Sequence, residues 1–362
     1  MTVRYRAAAG LAVLALAAPS SAAASPDRTP DTASAPAARA GAAARAAQAA
    51  QADEAARADE GAVRVLAISV DALNPTALQR LGHEGAPNLW RLVDEGAATL
   101  NARAQYELTI TLPNHTSMVT GRRVAKRAGG HGVTWNDERP RSTVHRAAGE
   151  RVRSVFSKIQ AAGGSSALFS TKTKFRTFTR SWPRAIDRTV IRVGDDDALV
   201  RAARADLVGH DRALTFVHLG VADAAGHAHG FMSPDYLRAV EHADSLVGTL
   251  LSAIDTEPTL DRVVVVLTAD HGGVGRDHSQ VTQLGDYRIP FVVWGPGIEH
   301  GDLYEMNPTY VNPGRSRPRP VGPQPVRNSD LANLVTTLLG LGPVPGSQFD
   351  VRQRLRVGPG AG

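Results

Sequence analysis

Cysteine is absent from the 362 residues, which excludes disulfide scaffolds, thiolate metal sites and cysteine nucleophiles. No apolar run reaches the roughly 18 residues a membrane-spanning helix needs. The nearest to it, Ala7 to Ala18, is too short and suits an export signal instead. Internal repeats are missing too, which sets aside solenoids and propellers, and no nucleic-acid-binding module is evident. The formal charge of +6 would suit an anionic substrate, but arginine is used so heavily along the whole chain that charge discriminates little. What remains, 43% hydrophobic residues with 34 glycines and 22 prolines, describes a globular chain that can bury a large core.

Arg4 and Arg6 precede the Ala7 to Ala18 run, and Ala22-Ala23-Ala24 offers a small-residue cleavage site. Residues 1–24 are therefore expected to be a signal peptide removed on export, so the protein is secreted or periplasmic and its mature chain has no transmembrane span. Residues 25–60 carry almost no large apolar side chain. They have no stripe to bury and are expected to form an alanine-rich tether. From Val63 the texture changes. Apolar runs of strand length (Val63 to Val70, Ala167 to Phe169, Leu214 to Leu219, Val263 to Leu267, Phe291 to Trp294) alternate with helical patterns such as Ala86 to Glu95, Tyr236 to Ile254 and Ser329 to Leu339, with Ser329 as N-cap of the last. This alternation predicts one α/β catalytic domain over 61–347, built on a mostly parallel central sheet with helices on both faces. Pro308 to Pro325 reads as a surface loop, and 348–362 as a C-terminal tail.

Open parallel sheets gather their chemistry at the carboxyl ends of the strands. The residues found there are metal-ligand types: Asp71 after the first run, Asp223 and His227 after the third, Asp270 and His271 after the fourth, and His278 just beyond. One aspartate at a strand end is usually a helix cap; a succession of such clusters points to bound cations. In a continuing strand Asp270 and His271 would face opposite ways, so sharing a cation requires the chain to leave the sheet, and Gly272-Gly273 permit that turn. Thr109 and Thr111 lie ahead of a helix expected to start at Pro113, where unpaired N–H groups attract a phosphate. Alternation alone cannot choose between the two hydroxyls; nearness to the helix start favours Thr111. Blander readings suit several neighbours: His115 and His131 as structural, His229 as an outer support, Asp244 as a cap or ion pair, and Asp195-Asp196-Asp197 as a helix start. Lys172, Lys174 and Arg176 either approach a phosphate or sit in a solvated loop.

Six motifs in order, Ser69-Val70-Asp71, Ala86-Pro87-Asn88-Leu89 through Glu95-Gly96, Thr111-Leu112-Pro113-Asn114-His115, His131 through Asn136, Asp223-Ala224-Ala225-Gly226-His227, and Asp270-His271-Gly272, resemble the alkaline phosphatase superfamily. Within it the closest likeness is to the type I phosphodiesterase/nucleotide pyrophosphatase family, over Val63 to Ser347. The resemblance implies two divalent metal ions, zinc first and manganese as the other ion these ligands accept. It assigns Asp71, Thr111, Asp270 and His271 to the site that holds the nucleophile, and Asp223 and His227 to the second site. The family's last ligand often lies far downstream, whereas no histidine here follows His300. His278 is the expected ligand and His300 the fallback. Asn136 matches the residue whose amide contacts a phosphoryl oxygen, at a separation from Thr111 a few residues longer than usual.

The activity implied is a two-metal phosphoryl-transfer hydrolase that cleaves phosphodiester or pyrophosphate bonds of small, nucleotide-type substrates through a phosphothreonine. An alkaline phosphomonoesterase is the alternative, with Lys174 or Arg176 meeting the extra charge of the dianion. A non-catalytic phosphate- or metal-binding protein is the second alternative. A sulfatase is disfavoured, because Thr111 is followed by Leu-Pro-Asn and not by the Cys/Ser-x-Pro-x-Arg frame. No clamp for a nucleotide base stands out; Trp135, Phe175 and Tyr236 are the candidates.

Overall fold

Strand β1 (Arg64–Val70) is buried at every position, as befits a strand covered on both faces. It lies near the middle of an eight-stranded sheet in the order β4-β3-β5-β1-β6-β7-β2-β8. The other strands are β2 (Ala97–Arg103), β3 (Ser166–Ser170), β4 (Arg188–Ile191), β5 (Leu214–Leu219), β6 (Val263–Thr268), β7 (Arg288–Trp294) and β8 (Gly301–Asp302). All pairings are parallel except those of β7, which runs against both β6 and β2. The computed structural model describes residues 62–358; the expected signal peptide and tether lie outside them.

Eight helices matter here: α1 (Pro75–Gly85), α2 (Pro87–Glu95), α3 (Thr111–Thr120), α4 (Val155–Ala161), α5 (Asp196–Gly209), α6 (Val221–His229), α7 (Pro234–Thr256) and α8 (Leu331–Leu338). Helix α7 packs against α1, α2, α5 and α6, while α3, α4 and α8 form a second group. Local chemistry sets their starts. Asp195 accepts from the Ala198 N–H and caps α5, and Asp244 reaches from α7 to accept from the Leu89 N–H and the Asn88 amide of α2.

Three boundaries differ from the sequence reading, each for a physical reason. Helix α3 begins at Thr111 rather than Pro113, because a proline in the first turn lacks an N–H that would have no helical partner anyway. Ser329 is not the cap of α8. A tight turn over Asn328–Asp330 precedes that helix, closed by the Asp330 carboxylate accepting from the Arg327 N–H at 2.7 Å. The stretch expected as a tail buries Phe349, Leu355 and Val357, whose apolar area is worth more against the core than in water.

Candidate metal centre

The turn that carries β1 out of the sheet leaves Asp71 fully buried. Its Oδ2 accepts from Lys172 Nζ at 2.5 Å and from His218 Nε2 at 2.9 Å, while its Oδ1 has no hydrogen-bond partner. The same division recurs at the next two carboxylates. Asp223, in the first turn of α6, accepts from Lys172 Nζ on Oδ2 at 2.6 Å and leaves Oδ1 unpartnered. Asp270, just past β6, accepts from the Ala72 N–H on Oδ1 at 3.1 Å and leaves Oδ2 unpartnered.

The histidines are oriented to match. His227 lies one helical turn beyond Asp223 on α6. Its Nδ1 donates to the Arg276 carbonyl at 2.9 Å, and His278 Nδ1 donates to the Thr109 carbonyl at 2.7 Å. In the neutral rings both Nε2 atoms therefore carry lone pairs. Those lone pairs face each other at 3.1 Å, and Asp223 Oδ1 stands 3.4 and 3.6 Å away. Three acceptors so close repel one another unless a cation joins them.

His271 donates from Nδ1 to the Gly272 carbonyl at 2.9 Å, which turns Nε2 toward Asp270 Oδ2 at 3.1 Å and Asp71 Oδ1 at 3.4 Å. Burial pushes its pKa down, but the Asp270 and Asp71 carboxylates outweigh burial and raise it to about 9. The turn itself needs glycine: a Cβ on Gly272 would meet the Gly285 carbonyl at 2.0 Å. Buried ligand atoms of Asp71, Asp270 and His271 all lie within 4.8 Å of one another, as do those of Asp223, His271 and His278. His271 stacks on His278 at 3.7 Å between ring centroids and stands in both groups.

Thr111 is buried at the start of α3, and its Oγ1 has no hydrogen-bond partner. Thr109 differs: its hydroxyl donates to the His278 carbonyl at 2.5 Å. Asn136 accepts on Oδ1 from the Leu112 N–H at 2.9 Å and from Lys174 Nζ at 3.0 Å. Burial and the neighbouring Lys172 charge lower the Lys174 pKa. Arg176 faces away, toward Glu138. His300 is exposed beyond β7, and exposed His229 stands 4.0 Å from Asp235. His115, which reaches Thr111 O and Ser69, and His131, which reaches Ser117 and the Val133 N–H, are buried supports of the loop. Burial lowers their pKa values to about 4 and about 3.

Sequence reasoning missed His218, whose only signal is an imidazole inside the buried strand β5. It had no means of deciding where Lys172 goes.

The model of a family described as type I phosphodiesterase / nucleotide pyrophosphatase matches residues 65–290. Among curated proteins, the chain is 30% identical over 109 residues to a GPI ethanolamine phosphate transferase 1 from Chaetomium globosum; the match covers 30% of this chain and 12% of that one. It is 34% identical over 87 residues to an arylsulfatase K from Xenopus laevis, covering 21% of this chain and 16% of that one. The chain thus spans well under a fifth of either relative. Among solved structures, an inactive threonine-to-alanine variant of murine ectonucleotide pyrophosphatase/phosphodiesterase 5 in complex with AMP superposes with a TM-score of 0.58 at 14% identity, over 78% of this chain and 96% of that one. At that identity the likeness speaks for the fold alone: a mixed α/β fold of the alkaline phosphatase kind.

Proposed function

Because this chain belongs to the type I phosphodiesterase/nucleotide pyrophosphatase family, we propose that it is an exported hydrolase that cleaves phosphodiester or pyrophosphate bonds of small nucleotide-type substrates through a phosphothreonine at Thr111. One observation carries this reading. Asp71 Oδ1, Asp223 Oδ1, Asp270 Oδ2, His271 Nε2 and Thr111 Oγ1 are buried without partners, and native proteins rarely leave such atoms unpaired unless an ion or substrate completes them. Asp71, Thr111, Asp270 and His271 would hold one divalent ion, and Asp223, His227 and His278 the other. Such ions, zinc before manganese by this donor set, supply Lewis acidity that lowers the hydroxyl pKa and activates water.

The chain's own residues do the rest. Thr111 Oγ1 forms the new bond to phosphorus as the bond to the leaving oxygen breaks, and the leaving group departs with the electron pair. Water then returns the phosphoryl group to solution and frees Thr111. The α3 N-terminus sets its positive end beside the developing charge. The Leu112 N–H and Lys174 hold the carbonyl end of Asn136, so its amide nitrogen is the end left for a phosphoryl oxygen.

A second reading, phosphomonoesterase, is favoured by the Lys174 ammonium at Asn136, since added positive charge suits a dianion. Paired kinetics on a bis-aryl phosphate and an aryl monophosphate, after zinc reconstitution of wild type and Lys174→Met, separate the two. A diesterase turns over the bis-aryl ester faster and changes little on Lys174→Met. A monoesterase prefers the monophosphate and loses that preference in the variant. No turnover of either ester by the reconstituted protein would sink the proposal.

A further inference from the structure

Lys172 is tied to the centre in a way that a phosphate contact does not require. Its Nζ donates to Asp71 Oδ2 at 2.5 Å and to Asp223 Oδ2 at 2.6 Å. These two carboxylates belong to different ions in the reading above, on which this inference rests. His218 adds a second donor to Asp71 Oδ2 at 2.9 Å, and its own Nδ1 stands 3.2 Å from Ser170 Oγ. His218 is set in register between Ser69 of β1 and Ser170 of β3, so the support is part of the sheet. At Asp270 the Ala72 N–H occupies Oδ1. Each carboxylate therefore has one oxygen committed to the protein and the other unpartnered.

We propose that Lys172, backed by His218, is a positioning residue that makes Asp71 and Asp223 one-oxygen ligands and thereby selects small four-coordinate cations over six-coordinate ones. A carboxylate that can swing both oxygens onto an ion raises its coordination number, which suits manganese and calcium. A carboxylate with one oxygen pinned supplies a single bond, which suits tetrahedral zinc. The ammonium also opposes any divalent ion by its charge, but that repulsion acts on all such ions alike. The ratio of two affinities cancels it and keeps the part due to denticity.

The test uses the full chain, wild type and Lys172→Met, loaded in turn with Zn²⁺, Mn²⁺ and Co²⁺. Competition against a chromophoric chelator gives the Mn²⁺/Zn²⁺ affinity ratio, and the visible spectrum of the Co²⁺ form reports coordination number without any turnover. Wild type should show the intense bands of four-coordinate cobalt. In Lys172→Met these should give way to weak six-coordinate bands, and the ratio should move toward manganese by about tenfold or more, the scale on which outer hydrogen-bond partners act on metal sites. An unchanged ratio and spectrum in a variant whose circular dichroism is native would overturn the proposal, as would six-coordinate cobalt in wild type. Should Lys172→Met fail to fold, Lys172→Ala, which removes both donors together with the long side chain, must move both readouts the same way. A wild-type chain that takes up no divalent ion at all refutes the metal reading itself, which is a different result from a bound ion of the wrong coordination.

Discussion

Thr109 and Thr111 lie two residues apart and carry the same hydroxyl, yet the structure assigns them opposite responses to valine, which keeps the branched shape and removes the oxygen. At Thr109 the hydroxyl donates to the buried His278 carbonyl. Losing it leaves that acceptor short of a partner at a cost of about 1–3 kcal/mol, and unfolding should begin at least about 2 °C lower. At Thr111 the hydroxyl is buried with no partner, so it already bears a desolvation cost of similar size, and valine should be neutral or stabilising by up to about 1 kcal/mol. The measurement is thermal unfolding in chelator, so that bound metal does not add its own linkage. Turnover after zinc reconstitution should run the other way. Thr111→Val removes the covalent step and loses several orders of magnitude, Thr111→Ser keeps much of the rate, and Thr109→Val retains the nucleophile. Equal destabilisation by the two valines would show that Thr111 Oγ1 has a structural partner. A phosphoryl group found on Thr109 by mass spectrometry of acid-quenched enzyme, or full turnover by Thr111→Val, would refute the assignment of the nucleophile.

Elemental analysis of the purified chain should find about two divalent ions, lost together with activity in chelator; full activity in a metal-free preparation contradicts this. His278→Ala should lose one of the two ions and cost activity as His227→Ala does, while His300→Ala, a change at an exposed position, should leave metal content alone; the reverse pattern moves the ligand to His300. Away from the centre, burial pushes the Asp350 carboxyl up from 3.8 to about 7 despite the Leu355 N–H and Tyr310 hydroxyl it accepts from. A raised acid pKa makes the protonated form the stabilising one, so this contribution is complete below pH 3.8 and is lost as pH climbs through 7. Asp350→Asn should therefore raise the melting temperature at pH 8, by at most about 4 kcal/mol in stability for a shift of about three units, and leave it nearly unchanged at pH 4. A gain of the same size at both pH values would mean that the carboxylate is not strained when ionised.

How much of this was legible in the sequence depended on how local each cause is. The five apolar runs became strands because continuous burial is written into consecutive residues, as in β5, whose expected and observed bounds coincide. β4 is an edge strand with exposed Arg188 and Thr189, and β8 has two residues. Neither has an apolar pattern to announce it, and their pairing comes from neighbours already in place. Helix α1 has a weaker sequence signal, because His83 and Glu84 in its last turn dilute the pattern and Gly82 breaks its backbone. The buried carboxylates of the candidate centre could be found by looking just past each strand, since the sheet itself delivers Asp71, Asp223 and Asp270 to one edge. What holds those carboxylates could not, because Lys172 meets Asp71 across 101 residues and His218 meets it across 147. A lysine after a strand end has no local signature that separates a phosphate contact from a clamp on metal ligands. Only the packing of β3 beside β5, which pairs in turn with β1, brings its ammonium to one oxygen of each carboxylate, and so the sequence can name the candidate donors while the contacts that pin them are a tertiary property.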